Sequence, residues 1–156
     1  MDESKPIVVL ASGAFDLVHY GHVRFLEEAK KAGGKDARLV VIVARDKTVE
    51  RLKGGRPVIP EDQRRGVVEA LKPVDEAILG FEDINLMDTI ERIKPDVIAV
   101  GHDQEEIARA VRRIIAERGL KIKVVKIGRF GQTDLDSSSK IKRRIIKELR
   151  REASDR

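Results

Sequence analysis

Apolar positions along the chain alternate between short unbroken runs and longer stretches spaced three and four residues apart. The unbroken runs are Ile7-Val8-Val9-Leu10-Ala11, Leu39-Val40-Val41-Ile42-Val43, the shorter Ala77-Ile78-Leu79, and Val97-Ile98-Ala99-Val100. Near-continuous β-branched runs suit strands covered on both faces of a parallel sheet. A fifth run, Ile122-Lys123-Val124-Val125-Lys126-Ile127, mixes in lysines and suits an edge strand. Between the runs the period lengthens. Leu26, Ala29 and Ala32 mark a helix face ending at Gly33-Gly34, where glycine accepts the left-handed conformation of a helix terminus. A second helix starts at Pro60-Glu61-Asp62 and stops before Pro73, and a third runs from about Asn85 to Lys94, ended by Pro95. Ile107, Val111, Ile114 and Ile115 form the stripe of a fourth, with Gly119 behind it, and Ile141, Ile145 and Leu149 that of a last one.

Strands alternating with helices specify βαβ units. The expected fold is α/β: a single Rossmann-like domain over residues 1–156, with a five-stranded parallel sheet in the order 3-2-1-4-5 and helices on both faces. Residues from about 150 to 156 are expected to fray. Composition narrows the chemistry. With no cysteine in 156 residues, disulfides, thiolate metal sites and a Cys nucleophile are excluded together. No apolar run approaches a membrane span, and the N-terminus lacks the pattern of a targeting segment, so a cytoplasmic protein is expected. Lys and Arg outnumber Asp and Glu by 32 to 27, and much of the excess lies between Lys140 and Arg151. That excess suits a polyanionic small substrate or plain solubility, and without interleaved aromatics it is poor support for nucleic acid.

The chemistry concentrates after the first run, in Ser12-Gly13-Ala14-Phe15-Asp16-Leu17-Val18-His19-Tyr20-Gly21-His22. Open parallel sheets bind ligands at the carboxyl ends of their strands. Gly13 and Gly21 let backbone approach a phosphate, the latter at a helix start whose free N–H groups attract anions. His19 and His22, three apart, share a face of that first turn and could donate hydrogen bonds to a phosphate gaining charge. An isolated His-x-x-His pair is more often a pair of ordinary helix-start residues. Two of only three histidines in one Gly-bearing loop reverse that balance. Neither Gly-x-Gly-x-x-Gly nor a Gly-Lys-Ser/Thr P-loop ending is present.

Gly13 to His22 resembles the G-T-F-D-x-x-H-x-G-H signature of the cytidylyltransferase-like nucleotidyltransferases, with Ala14 in place of the usual threonine. The resemblance extends over nearly the whole chain. Val43-Ala44-Arg45-Asp46-Lys47-Thr48-Val49 with Lys53-Gly54, Pro60-Glu61-Asp62-Gln63-Arg64, Leu71-Lys72-Pro73-Val74-Asp75, Gly101-His102-Asp103-Gln104 and Ser137-Ser138-Ser139-Lys140-Ile141 are similar to the archaeal FAD synthases. Transfer of AMP from ATP to the phosphate of FMN is the activity this implies. Its catalytic residues would be His19, His22 and Lys53. Ala14, Phe15, His19, Tyr20, Gly21, His22, Asp103, Phe130, Ser137, Ser138 and Ser139 would bind ATP, with Ser137 to Ser139 around its triphosphate. Mg²⁺ or another divalent ion would be held mainly by the phosphates, since no carboxylate cluster awaits it. ATP and FMN are the implied partners, with a homodimer as the association considered and neither nucleic acid nor membrane.

Several of these positions have ordinary readings beside the functional one. Ser137 could merely cap the last helix, and Asp103 the fourth. Lys53, read as part of a flexible basic loop Arg51-Leu52-Lys53-Gly54-Gly55-Arg56, could be solvated or could close over phosphates. Arg64 at a helix start opposes the macrodipole, a conflict that a substrate phosphate would resolve. Phe130 could stack on a base or fill a core gap. The rival enzyme is a CTP:glycerol-3-phosphate cytidylyltransferase, disfavoured because no Arg-Thr-x-Gly-Ile precedes Ser137 and no tryptophan follows Gly101. The rival from another class is a nucleotide-sensing or RNA-binding protein on the same fold.

Overall fold

A computed structural model describes residues 4–80, 85–130 and 135–156. In chain order the elements are β1 (Val8–Gly13), α1 (Tyr20–Lys31), β2 (Arg38–Val43), α2 (Asp46–Lys53), α3 (Glu61–Glu69), β3 (Glu76–Leu79), α4 (Leu86–Ile93), β4 (Val97–Val100), α5 (Glu105–Arg118), β5 (Lys123–Lys126) and α6 (Ser138–Ser154). The strands form one parallel sheet in the order β3-β2-β1-β4-β5, as the sequence pattern requires.

The near-continuous apolar runs are explained by the pleat, which sends successive side chains to opposite faces, each covered by helices. Val9 and Ala11 of β1, Leu39, Val41 and Val43 of β2, and Val97 and Ala99 of β4 pack with Leu26 and Ala29 of α1 and Val68 of α3. Leu10, Val40, Ile98 and Val100 point the other way, onto Ile90 of α4 and Ala108 and Val111 of α5. β5 is an edge strand, with Lys123 and Lys126 exposed.

Four details depart from the sequence reading. Arg51 to Lys53, expected within a flexible loop, instead end α2, an eight-residue helix from Asp46 in which Val49 alone is buried and Gly54 closes the end at φ 76. Such a short, charged helix has almost no apolar stripe to betray it. On α5 the buried positions are Ala108 and Val111, while Ile107 is 38% exposed. The last helix runs to Ser154, and none of its residues is buried. Its expected apolar face is open, with Ile145 50% and Leu149 59% exposed. At the end of α1 the two glycines divide the labour: Gly34 takes φ +90, whereas Gly33 serves close packing. A Cβ at Gly33 would stand 2.5 Å from Val9 Cγ2 and 2.7 Å from the Ala37 Cβ.

Gly33→Ala should therefore destabilise the fold by about 1–3 kcal/mol through overpacking. Because this position lies at the amino ends of the strands, turnover of the folded fraction should stay at the wild-type level. Urea denaturation alongside an activity assay measures both; undiminished stability would contradict the packing shown.

Candidate active site

The signature loop leaves β1 through two strained residues, Phe15 at φ 54 and Leu17 at φ 50. Non-glycine residues hold this conformation only where the surroundings over-determine it. Phe15 turns its ring into the core, 3% exposed, beneath Gly13, where a Cβ would come within 2.9 Å of that ring. Phe15 thus reaches a ligand only through backbone, and its ring instead supports His22, with centroids 5.4 Å apart.

Two buried charged groups hold the loop to the rest of the domain. The Asp16 carboxylate accepts the backbone N–H groups of Val58 (2.8 Å) and Ile59 (2.9 Å) and pairs with Lys142 of α6 at 3.2 Å. Burial pushes its pKa up, but those backbone donors and Lys142 outweigh burial and leave it below the usual aspartate value. The Ser138 hydroxyl donates to the Asp16 carbonyl, which docks the start of α6 on the loop. Arg64 is the second anchor, and here the sequence expectation is corrected. Its side chain is fully buried and donates to the carbonyls of Ala14 (2.6 Å) and Ile59 (2.8 Å) and to Asp46 Oδ1 (2.7 Å). The conflict between this cation and the α3 macrodipole is resolved by protein acceptors, so Arg64 is a scaffold for the loop and not a contact for a substrate phosphate.

His19 and His22 form a reciprocal cap at the start of α1. His19, extended at the N-cap, accepts the Gly21 N–H on its Nδ1 at 3.1 Å, and His22 accepts the His19 N–H on its own Nδ1 at 3.2 Å. An imidazole nitrogen that accepts carries no proton, so in each neutral ring the hydrogen resides on Nε2. The rings lie 3.9 Å apart between centroids. Burial lowers both pKa values, that of His22 to about 4, with the neighbouring His19 and Lys53 charges adding to the depression. Gly21 is the residue this geometry needs, since a Cβ there would meet the His19 ring at 2.9 Å.

Around this pair the other expected residues take distinct places. Lys53 is exposed at the end of α2, in a helix and not a loop, and its charge acts on His22. Asp103 is exposed and also acts on His22; Gln104 occupies the α5 N-cap, so Asp103 does not cap that helix. Ser137 caps α6, its Oγ accepting the Lys140 N–H at 3.2 Å, which realises the ordinary reading of that serine. Ser138 and Ser139 complete the first turn. Tyr20 is 67% exposed beside the histidines. Phe130 packs against the core with the Arg24 guanidinium 5.2 Å from its ring centroid, so one face of the ring is already covered. Asp136, missed by the sequence reading, places a buried carboxylate between Arg129 and Lys140 and acts on His19. The i, i+4 spacing of Asp136 and Lys140 was the available signal.

Residues 10–144 match the model of the cytidylyltransferase-like family. The chain belongs to the cytidylyltransferase-like family. Within it, the chain is 54% identical to an FAD synthase of Ferroglobus placidus over 88% of this chain and 87% of that one. It is 46% identical to an FAD synthase of Aciduliprofundum boonei, covering 88% of this chain and 89% of that one. Among solved structures, a lipopolysaccharide core biosynthesis protein from Thermoplasma volcanium superposes with a TM-score of 0.71 at 40% identity, over 80% of this chain and 98% of that one. The capped histidines lie within the residues that match the family model. No helix among the described residues is long and apolar enough to cross a membrane.

The depressed His22 pKa makes stability depend on pH. As pH falls below 6.5 the unfolded chain takes up a proton that folded His22 refuses until about 4, so stability falls across that window. Between about pH 7 and about pH 4.5 this histidine should account for about 2–3 kcal/mol of the loss. Gln at this position can still accept the His19 N–H but does not titrate. Denaturation of wild type and His22→Gln at both pH values should show the smaller loss in the variant; equal losses would mean that His22 is protonated in the fold.

Proposed function

We propose that this protein is a cytoplasmic FAD synthase that transfers AMP from ATP to the phosphate of FMN. Kinship with FAD synthases over most of both chains supports the substrate pair. The observation that carries the chemistry is the reciprocal histidine cap at the carboxyl end of β1, two neutral imidazoles with protons on Nε2.

An oxygen of the FMN phosphate attacks the α-phosphorus of ATP. A new P–O bond forms as the bond from that phosphorus to the bridging oxygen breaks, and pyrophosphate leaves with the electron pair. Such transfer depends on positioning and charge stabilisation and needs no covalent nucleophile. His19 and His22 donate from Nε2 to the α- and β-phosphates. Being neutral, they stabilise developing charge as hydrogen-bond donors without giving up a proton. Lys53 adds a point charge from the end of α2, and the first turn of α6, Ser137 to Ser139, cradles the departing pyrophosphate at a helix N-terminus. Ala14, Phe15, Tyr20 and Gly21 line the ATP phosphates along the signature loop, and Asp103 accepts from ribose or adenine. Phe130 stacks on the nucleotide base. Among the described residues no three His, Asp or Glu side chains converge on a metal site. A divalent ion such as Mg²⁺, held mainly by the phosphates of ATP, would neutralise charge there. A homodimer remains part of this reading.

Purified protein should form FAD from FMN and ATP, should discriminate strongly against CTP, and should not adenylate riboflavin, which lacks the attacking phosphate. Chromatography of the products decides each point. CDP-glycerol from CTP without FAD would favour the cytidylyltransferase reading, and nucleotide binding without pyrophosphate release from any pair would favour a sensor.

Removing one preorganised donor costs roughly 10²–10³ in rate, the effect expected of His22→Ala. Lys53→Ala should also slow turnover, while its exposed position keeps thermal stability within about 0.5 kcal/mol of wild type. Unchanged turnover in either variant, read by pyrophosphate release, would remove that residue from the mechanism.

A further inference from the structure

The two central strands separate before they end. The paired register of β1 with β4 covers Val9 with Val97 and Leu10 with Ile98. Beyond it, Ala11 to Gly13 of β1 pair only with β2, and Ala99 and Val100 of β4 only with β5. This parting is the crevice at the topological switch point, where open α/β sheets receive ligands. One side chain bridges it. The Gln104 carboxamide donates from Nε2 to the Ser12 carbonyl at 2.9 Å, and its Oε1 accepts the Gly101 N–H at 2.8 Å.

We infer that Gln104 is a positioning residue for ATP binding, its carboxamide standing in for a peptide unit between β1 and β4 and fixing the width of the crevice between their carboxyl ends. A peptide unit presents one N–H and one C=O, and among side chains the carboxamide reproduces that pair. Both backbone groups that it satisfies lie where the ladder has opened and would otherwise lack partners in the protein. The local geometry is committed to this bridge. Gln104 occupies the N-cap of α5, yet its side chain makes no cap hydrogen bond. It spans the sheet instead, although side-chain capping would stabilise α5. Gly101 leaves the room required, since a Cβ there would lie 3.1 Å from Asp103 Oδ1 and 3.4 Å from Gln104 Oε1. The Gln104 N–H also donates to the Gly101 carbonyl at 3.1 Å, closing a turn that carries Asp103, whose charge acts on His22. The strut therefore sets two distances together, from Ser12 to Gly101 and from the signature loop to Asp103. Asp103, the proposed contact for ribose or adenine, follows β4 on this same turn, so the strut acts on the nucleotide.

The inference rests on ATP occupying this crevice, and the test separates the two ideas. Gln104→Met keeps the side-chain length and removes both hydrogen bonds; Gln104→Glu keeps the acceptor for Gly101 and sets a carboxylate against the Ser12 carbonyl. Binding of ATP by equilibrium titration and KM values for ATP and FMN are measured on wild type and both variants. We expect the ATP affinity to weaken and its KM to rise about tenfold in both variants, with KM for FMN within about twofold of wild type. ATP affinity unchanged in both variants would overturn the strut, as would ATP and FMN weakening in parallel, the mark of general loosening. Should Gln104→Met fail to fold, Gln104→Glu alone decides by the same criteria. Wild type that binds ATP but makes no FAD would sink the substrate assignment while the ATP titration still judges Gln104. Wild type that binds no ATP would overturn both.

Discussion

An α-helix starts with backbone N–H groups that have no partner within it, and α1 meets this need with the two side chains its chemistry also uses. The δ nitrogens of His19 and His22 take the N–H groups of Gly21 and His19. One arrangement thereby sets the rotamers of both rings, their tautomers and their neutrality. It also explains why the intervening residue next to His22 is glycine: the His19 ring fills the space a Cβ would need. A pair of histidines held in this way offers two fixed N–H donors with little reorganisation when charge develops on a phosphate.

Such a cap has value only if the loop carrying it is fixed to the sheet, and buried charge supplies that. Asp16 binds the 58–59 backbone and the first turns of α6, while Arg64 ties the Ala14 carbonyl to Asp46 and Ile59. Each group is satisfied by several partners, the condition under which a buried charge organises structure at tolerable cost. The consequence for function is spatial. The loop after β1, the start of α2, the linker into α3 and the start of α6 are fastened together at the carboxyl ends of the strands, which fixes the histidine loop against the first turn of α6.

How much of this was legible in the sequence depended on whether a feature is written in local periodicity or in tertiary partners. Strands β1, β2 and β4 followed from runs such as Leu39 to Val43, because burial on both faces leaves an unambiguous apolar pattern, and the order is the one expected of a Rossmann-like sheet. The signature loop was likewise legible, since glycines and histidines at fixed spacing carry its chemistry. α2 was not, because eight mostly charged residues with one buried valine lack a stripe. Arg64 was misjudged for a different reason. A cation at a helix start looks unfavourable until its acceptors are known, and those lie 5, 18 and 50 residues away in the chain. The open face of α6 shows the reverse case, in which Ile145 and Leu149 follow a helical period without being buried by this domain.

The central claim is that both histidines act as neutral donors through Nε2, a state imposed by the backbone they cap. Nitrogen NMR of protein labelled at histidine reports tautomer and charge for each ring directly. Near neutral pH, both His19 and His22 should show the neutral form with the proton on Nε2, and His22 should hold it down to about pH 4. A protonated His22 at neutral pH, or a proton on Nδ1 of either ring, would contradict the account.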